Sequence, residues 1–216
     1  MEKINRQPVS NYPTLKKLSD NWEIWGKEYE IFLDTKQIEG VGFSWRQGIY
    51  EVLRTQLFNL TKGHCSFCDG YPIGETSKET IEHYYPKNDF PLKAYDWENL
   101  FYCCDKCQSE ANRSAFTVTL KPDEATYNFD DYFYFDAESG ELKIMENIET
   151  THPDKFKNAS NFLKRYGINN PIRNQSRKNL LQDVKNLLQN RQNEEDQRVK
   201  DDFKYRYIYS YAAVLY

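Results

Sequence analysis

The sequence contains no long apolar run, and its first residues lack the features of a targeting signal. Nowhere in the 216 residues is there a stretch of about 18 apolar residues, the length that a membrane-spanning helix needs. The segment Met1–Arg6 lacks the apolar centre of a signal peptide. No internal repeat and no low-complexity tract is present. We therefore expect a soluble, cytoplasmic protein that does not engage a membrane.

The composition is that of a folded protein rather than a disordered chain. Aromatic residues make up 16% of the sequence, with 17 Tyr and 13 Phe. Disordered chains are poor in aromatics because they do not bury enough apolar surface to fold. A chain of 216 residues can bury a sizeable core. We expect one compact unit.

The net charge is −4, but the charge is unevenly distributed. Residues 121–150 hold two Lys and nine acidic residues, a net charge of −7, whereas residues 151–206 hold 13 Lys and Arg and seven acids, a net charge of +6. The basic C-terminal third could lie along a phosphate backbone. A solvated helix surface, interrupted by Glu194, Glu195 and Asp196, explains the same pattern equally well.

Hydrophobic spacing predicts helices before a cysteine-rich centre. Apolar residues spaced three and four apart within residues 14–60 indicate two helices, with a turn at 41–45 and Ser44 as the cap of the second. Residues 80–85 predict a strand that stops before Pro86, which places His83 at the strand's exit.

The second half of the chain predicts a hairpin and further helices. Residues 132–135 and 142–145 indicate a β-hairpin in which Gly140 supplies the positive φ of the turn. An apolar stripe predicts a helix that starts after Ser176, and residues 203–216 form an aromatic helix or strand. The regions are then an N-terminal helical region (1–60), a cysteine-rich core (61–121) and an acidic hairpin with a basic helical end (122–216).

Five cysteines are present, and four of them form Cys-x-x-Cys pairs. In a reducing compartment such pairs indicate metal ligands or redox dithiols rather than structural disulfides. Two pairs complete a tetrahedral Zn²⁺ site and would join the ends of the 35-residue segment 69–103. The predicted structural zinc ligands are Cys65, Cys68, Cys104 and Cys107. Cys103 is left over, and we expect it to be a small buried hydrophobic residue.

The segment between the cysteine pairs contains residues suited to hydrolysis of a phosphodiester. A histidine near its natural pKa is neutral at pH 7 and accepts a proton, so His83 is the candidate general base. Glu82 points to the opposite side of a regular strand, so both residues serve one site only if the strand twists or ends there. Asn99 can fix the histidine loop by bridging backbone groups with its amide; an ordinary helix cap is the alternative.

These motifs resemble those of a known enzyme family. Cys-x-x-Cys, Glu-His-x-x-Pro-Lys, Trp-x-Asn-Leu and a second Cys-x-x-Cys, in this order, resemble the zinc-bound ββα-metal fold of HNH endonucleases. Segments 80–87 and 94–100, the acidic hairpin and Tyr166–Pro171 with Arg177 beyond are similar to PtuB, the HNH subunit of Septu anti-phage systems, which also accompanies some retrons. The resemblance covers residues 60–180.

The resemblance implies an α+β protein with a small ββα-metal core that cuts DNA during phage infection beside a PtuA-like ATPase. It makes His83 the general base, Glu82 a ligand of a catalytic Mg²⁺ or Mn²⁺, Asn99 the loop organiser and the four paired cysteines the structural zinc site. The family usually has His or Asn directly after the last zinc cysteine, as the second ligand of the catalytic cation.

One position departs from the family pattern. This chain has Gln108 where the second ligand is expected, and the Gln amide oxygen still suits a hard cation. Asn112, one turn further along a helix beginning near Cys107, is an alternative ligand. Lys87 and Arg113 are the nearest cations in sequence for phosphate contacts.

A second hypothesis follows from Gln108. The chain is then a zinc-stabilised interaction module with a degenerate nuclease site that recruits or restrains an ATPase without cutting. The aromatic tail from Phe203 could stack on bases, but burial in the core or in an interface is favoured. His64 is expected to pack beside the first cysteine pair, and His152 to be a loop residue before Pro153.

Overall fold

A computed structural model describes residues 1–35, 43–189 and 200–215. The helices are α1 (Lys16–Thr35), α2 (Ile49–Thr61), α3 (Asp105–Arg113), α4 (Ile148–Thr151), α5 (Pro153–Arg165), α6 (Pro171–Gln189) and α7 (Arg206–Leu215). The strands are β1 (Glu79–His83), β2 (Leu100–Cys104), β3 (Phe133–Asp136) and β4 (Glu141–Ile144). The predicted α+β class is confirmed. Positions 41 and 42 of the predicted turn, the acidic run 194–196 and Tyr216 lie outside the described residues.

The centre of the fold is an antiparallel strand pair followed at once by a helix. In β1 and β2, Glu79 lies opposite Cys104 and His83 lies opposite Leu100. All five residues of β2 are buried, so this strand runs through the core rather than along its surface. Helix α3 begins directly after β2 and packs on both strands. The β1–β2 pair therefore has a candidate functional residue at each end: the zinc-ligand candidate Cys104 at one end and the candidate base His83 at the other.

Strand β1 ends two residues earlier than predicted. The sequence favoured a strand through Tyr85, but the strand stops at His83. Beyond that point the Tyr84 amide donates to the backbone carbonyl of Asn99 and the Tyr85 amide to its side chain. The side chain of Asn99 thus takes the place of the next backbone acceptor in the strand pairing, and the backbone turns away there. The prediction that His83 lies at the strand exit is confirmed.

The N-terminal helices are confirmed, but Ser44 is not a helix cap. Helix α2 begins at Ile49, and its N-cap is Gly48 with a φ of 75° and no side-chain hydrogen bond. The Ser44 carbonyl instead accepts a hydrogen bond from the Tyr95 hydroxyl. The prediction failed because Ser is a favoured cap by residue type, whereas here residues 43–46 have no regular secondary structure and the Phe43 and Trp45 rings pack against His83.

Helix α6 starts six residues before the predicted start. It begins at Pro171, and the Asn170 side chain accepts a hydrogen bond from the Arg173 amide at 2.9 Å. Pro at the first helical position has no amide to leave unsatisfied, and Asn is a favoured cap. Prediction from the apolar stripe missed this start because the buried residues of the first two turns are arginines, Arg173 and Arg177, rather than apolar residues.

Four arginines of the basic C-terminal third are buried instead of forming a charged surface. They are Arg165, Arg173, Arg177 and Arg206. Arg177 is 0% exposed and donates to the carbonyls of Gly140 and Ile168. The Arg206 Nη2 lies 2.6 Å from the carboxylate of Asp69. For these residues, the expectation of a solvated helix surface is wrong.

The aromatic tail is a helix, α7, that packs into the core. Tyr205, Tyr207, Ile208 and Tyr209 are buried. The Tyr207 ring stacks on Phe129 with ring centroids 5.0 Å apart. These rings are not available to stack on bases, so the expectation of burial is confirmed.

The described helices are unsuited to a membrane. Across residues 1–35, 43–189 and 200–215, every helix is too short or too polar to cross a bilayer.

The β3–β4 hairpin depends on Gly140. The residue has a φ of 77°, as the turn pattern predicted, and an added Cβ would overlap the carbonyl oxygen of Asn174. A left-handed conformation costs a non-glycine residue about 1 kcal/mol, and the overlap adds about 1–3 kcal/mol. We expect Gly140→Ala to lower the free energy of unfolding by about 2–4 kcal/mol in urea titration. Gly74 also has a positive φ, 102°, but open space around it. Gly74→Ala should therefore lower the free energy of unfolding only by the cost of the backbone conformation, without the cost of steric overlap.

Candidate metal centre and adjoining cleft

The two cysteine pairs converge on one point. The sulfurs of Cys65, Cys68, Cys104 and Cys107 all lie within 4.8 Å of one another and are buried. Cys68 Sγ and Cys104 Sγ are 3.8 Å apart, and a tetrahedral ion with metal–sulfur bonds of about 2.3 Å has sulfur–sulfur edges of about 3.8 Å. None of the cysteines forms a disulfide. The cluster therefore fits a metal such as zinc, and the predicted convergence is confirmed.

Local structure explains how each pair is presented. The first pair follows α2, which is terminated by Lys62 at φ 55° and Gly63 at φ 76°. The amide of Cys65 donates to the carbonyl of Gly70, which closes the loop around this pair. The second pair spans the start of α3, where Cys104 is the N-cap and accepts from the amide of Cys107. A helix N-terminus favours negative charge, which suits a thiolate.

Arg173 supplies positive charge to the cluster. Its Nη2 donates to Cys107 Sγ at 3.1 Å, and its Nη1 donates to the carbonyl of Tyr166 at 2.6 Å. Four thiolates around a dication leave a net negative charge in a buried site, which a guanidinium offsets. Sequence reasoning missed this residue because it lies 66 positions from Cys107.

Cys103 and His64 are as expected. Cys103 is 0% exposed, lies outside the four-sulfur group and donates to the carbonyl of Cys104. His64 is buried beside the first pair and stacks on Tyr71 with ring centroids 4.5 Å apart. His152 precedes α5 as its N-cap residue.

A cleft of about 390 Å³ opens at the opposite end of the strand pair from the sulfur cluster. Glu82 and His83 both line it, although neighbours on a regular strand point to opposite sides. They meet in one cleft because β1 ends at His83. The condition that the sequence set for a shared site is therefore met.

His83 is held in a single tautomer by its surroundings. Its Nε2 lies 2.9 Å from the carbonyl oxygen of Ala94. A carbonyl only accepts, so Nε2 carries the hydrogen and the neutral ring has its lone pair on Nδ1. The ring stacks on Trp45 with centroids 5.8 Å apart and meets Phe43 edge-on at 5.3 Å. Burial lowers the pKa of His83 to about 4, so the ring is neutral at pH 7.

Glu82 is a buried carboxylate without an ion-pair partner in the described part of the chain. It is 5% exposed, and burial raises its pKa to about 7, against the opposing influence of Arg165, Gln108 and Lys87. An adjacent divalent cation favours the ionised form and lowers such a pKa. A hard oxygen donor of this kind suits Mg²⁺ or Mn²⁺.

Gln108 lies beside Glu82 but acts as a donor. Its Nε2 donates to the carbonyl of Ile81 at 3.1 Å, and its hydrogen bonding also favours the ionised Glu82. Turning the amide to present its oxygen to a cation would break the bond to Ile81. Asn112, the alternative ligand, is exposed but also lines the cleft.

Asn99 bridges the histidine loop as the sequence suggested. Its Oδ1 accepts from the Tyr85 amide at 2.7 Å, and its Nδ2 donates to the carbonyls of Tyr85 at 3.0 Å and Lys93 at 2.9 Å. The side chain is 1% exposed, and its oxygen and both of its amide hydrogens bond to the backbone. Asn99 thereby fixes the loop that runs between His83 and Ala94.

The two cations expected to contact phosphate are placed differently. Lys87 lines the cleft. Arg113 is not among the residues that line it: its side chain is 71% exposed and pairs with Glu110 at 3.3 Å. Arg165 lines the cleft in its place, together with Phe43 and Trp45, and sequence reasoning assigned no role to these three. The only signal for Arg165 was the basic excess of the C-terminal third.

Neither the family models nor the curated proteins that were searched contain a match to this chain.

Proposed function

We propose that this chain is a metal-dependent endonuclease of the HNH type that hydrolyses phosphodiester bonds in DNA. The observation that supports it most is the meeting of His83 and Glu82 in one cleft. A neutral imidazole whose Nδ1 is left to accept a proton, and a carboxylate without an ion-pair partner in the described part of the chain, offer a base and a cation ligand in the same cleft.

Each residue of the cleft has a separate role in the proposed hydrolysis. His83 Nδ1 accepts a proton from the attacking water, while Ala94 holds the ring through Nε2. Asn99 keeps this loop in place, and Glu82 supplies the carboxylate for Mg²⁺ or Mn²⁺. When bound, such a cation stabilises charge on the phosphate and on the leaving oxygen. In this proposal the four-cysteine cluster is a structural zinc site.

The biological setting rests on the resemblance alone. We propose that the chain is the nuclease subunit of an anti-phage complex with a PtuA-like ATPase, as in Septu systems. Co-expression with a neighbouring ATPase gene and co-purification of the two chains tests this partner.

A cleavage assay with matched glutamate variants tests the activity. Purified chain, alone and with the ATPase, should nick or linearise plasmid when Mg²⁺ or Mn²⁺ is added but not when both cations are left out. Glu82→Gln should lower the rate by about 100-fold or more, because it removes the anionic ligand. Its free energy of unfolding should not fall, because the variant no longer buries an unpaired charge.

Glu79 provides the control on the same strand. It pairs with Arg54 at 2.7 Å and accepts from the Tyr102 hydroxyl, outside the cleft. Glu79→Gln should therefore lose some stability and keep its cleavage rate. Equal cleavage by Glu82→Gln and wild type would contradict the proposed role of the carboxylate.

A zinc-stabilised interaction module without cleavage is the second candidate. Gln108 favours it, because the amide is engaged as a donor to Ile81 rather than as an oxygen ligand. In that case no metal would support cleavage by wild type, with or without the ATPase, while co-purification with the ATPase would survive Glu82→Gln.

A further inference from the structure

Arg165 brings a permanent positive charge to the wall of the cleft that contains Glu82. It is the last residue of α5, outside the strand pair and α3, and is 3% exposed. It lines the same cavity as Glu82 and His83. A guanidinium remains protonated in proteins, so this wall carries charge at every physiological pH.

The surroundings hold the guanidinium without neutralising it. Nη2 donates to the carbonyl of Tyr84 at 3.1 Å and Nη1 to that of Thr117 at 3.5 Å. The Phe116 ring lies 5.0 Å from Cζ. Nε is buried and has no hydrogen-bond partner in the described part of the chain. No carboxylate among the described residues forms an ion pair with it.

The cleft therefore has opposite charges that do not pair with each other. Glu82 and Arg165 are both buried, and burying unpaired charges is unfavourable unless a ligand compensates them. A metal-bound phosphate carries both signs, with the cation for the carboxylate and anionic oxygens for the guanidinium. The planar fork of arginine matches two phosphate oxygens. Lys87, half-buried in the same cleft, adds a second positive charge.

We infer that Arg165 binds a backbone phosphate of the nucleic acid in this cleft. The inference rests on the proposed function for the identity of the substrate, and it replaces Arg113 as the expected phosphate contact. Because the Tyr84 carbonyl holds the guanidinium and Tyr84 directly follows His83, the bound phosphate is kept at a fixed position relative to the base.

Binding without cleavage tests this inference. With no Mg²⁺ or Mn²⁺ added, the affinity of the zinc-loaded full chain for a short DNA duplex would be measured by fluorescence anisotropy at several salt concentrations. The affinity for inorganic phosphate would be measured by calorimetry. Arg165→Gln should weaken DNA binding by about 10- to 100-fold, the worth of a charged hydrogen bond. It should reduce the slope of log affinity against log salt by about one.

Lys164 is the matched control. It is the neighbouring residue of α5, exposed and outside the cleft, so Lys164→Gln removes the same charge with little effect on affinity. Arg165→Lys tests the same contact if Arg165→Gln fails to fold. Lysine keeps the positive charge and a hydrogen-bond donor for the Tyr84 carbonyl, but it lacks the planar guanidinium that contacts two phosphate oxygens. This variant should weaken DNA binding by about three- to tenfold.

The outcomes separate this inference from the proposed function. Wild-type affinity for DNA in folded Arg165→Gln or Arg165→Lys overturns the phosphate contact, even if wild type cleaves DNA. Binding that depends on Arg165 in a chain that never cleaves supports the contact and overturns the nuclease. If Arg165→Gln loses binding of inorganic phosphate but keeps wild-type affinity for DNA, Arg165 belongs to a site for free phosphate. That result also overturns the inferred contact with the DNA backbone.

Discussion

Cys107→Ser is expected to abolish metal binding and unfold the centre of the protein. Cys107 is 0% exposed, its sulfur lies in the four-cysteine cluster and it belongs to the first turn of α3. Structural zinc binding in small domains provides about 10–16 kcal/mol, whereas whole domains are stable by only about 5–15 kcal/mol. Loss of the ion therefore exceeds what the remaining core can supply. Near-UV circular dichroism should collapse, and metal analysis should fall from about one zinc per chain to none.

Cys103→Ala is the control for the cysteine experiment. Cys103 is as buried as Cys107 but lies outside the cluster, so its loss should cost about 1 kcal/mol and leave the zinc content unchanged. Retention of native near-UV dichroism in Cys107→Ser, or wild-type protein without metal after purification in zinc, would contradict a structural metal site.

His83→Ala is expected to lower the cleavage rate by about 10²- to 10⁴-fold, the usual contribution of a general base. The ring is neutral at pH 7 because burial lowers its pKa to about 4, and Nδ1 is the nitrogen left to accept a proton. The substitution also removes packing against Trp45, so thermal unfolding must be measured beside cleavage. The assay is plasmid cleavage at saturating Mg²⁺ or Mn²⁺.

Two further variants separate chemistry from packing at His83. His83→Gln can still donate to the Ala94 carbonyl but offers no nitrogen that accepts a proton, so it should be as inactive as His83→Ala. His152 is exposed, and His152→Ala should keep the wild-type rate. Full activity in His83→Gln would show that the histidine only supports the loop.

Local chemistry was predictable where short-range rules decide it. The two-residue gap in each cysteine pair directs both sulfurs to one ion, and the four sulfurs do lie within 4.8 Å. Gly140 adopts the positive φ that the hairpin turn requires. Asn99 bridges backbone groups because a short amide side chain reaches its neighbours' amides and carbonyls.

Helix boundaries were less predictable because several residues can cap. Ser44 has the side chain of a cap, yet α2 begins after Gly48. Ser176 precedes the apolar stripe, yet Asn170 and Pro171 start α6 a turn and more earlier. In both cases packing of the flanking chain selected one start among several that the local sequence allows.

The sequence by itself determined the α+β class, the convergence of the cysteines and the position of His83 at a strand exit. The tertiary structure alone decided which charged side chains line the cleft. Arg113, near in sequence, is 71% exposed, while Arg165 reaches the wall by contacting Tyr84 across 81 positions. An arginine in a sequence does not reveal whether its guanidinium will face a carbonyl, a sulfur or water, because that depends on contacts between segments distant along the chain.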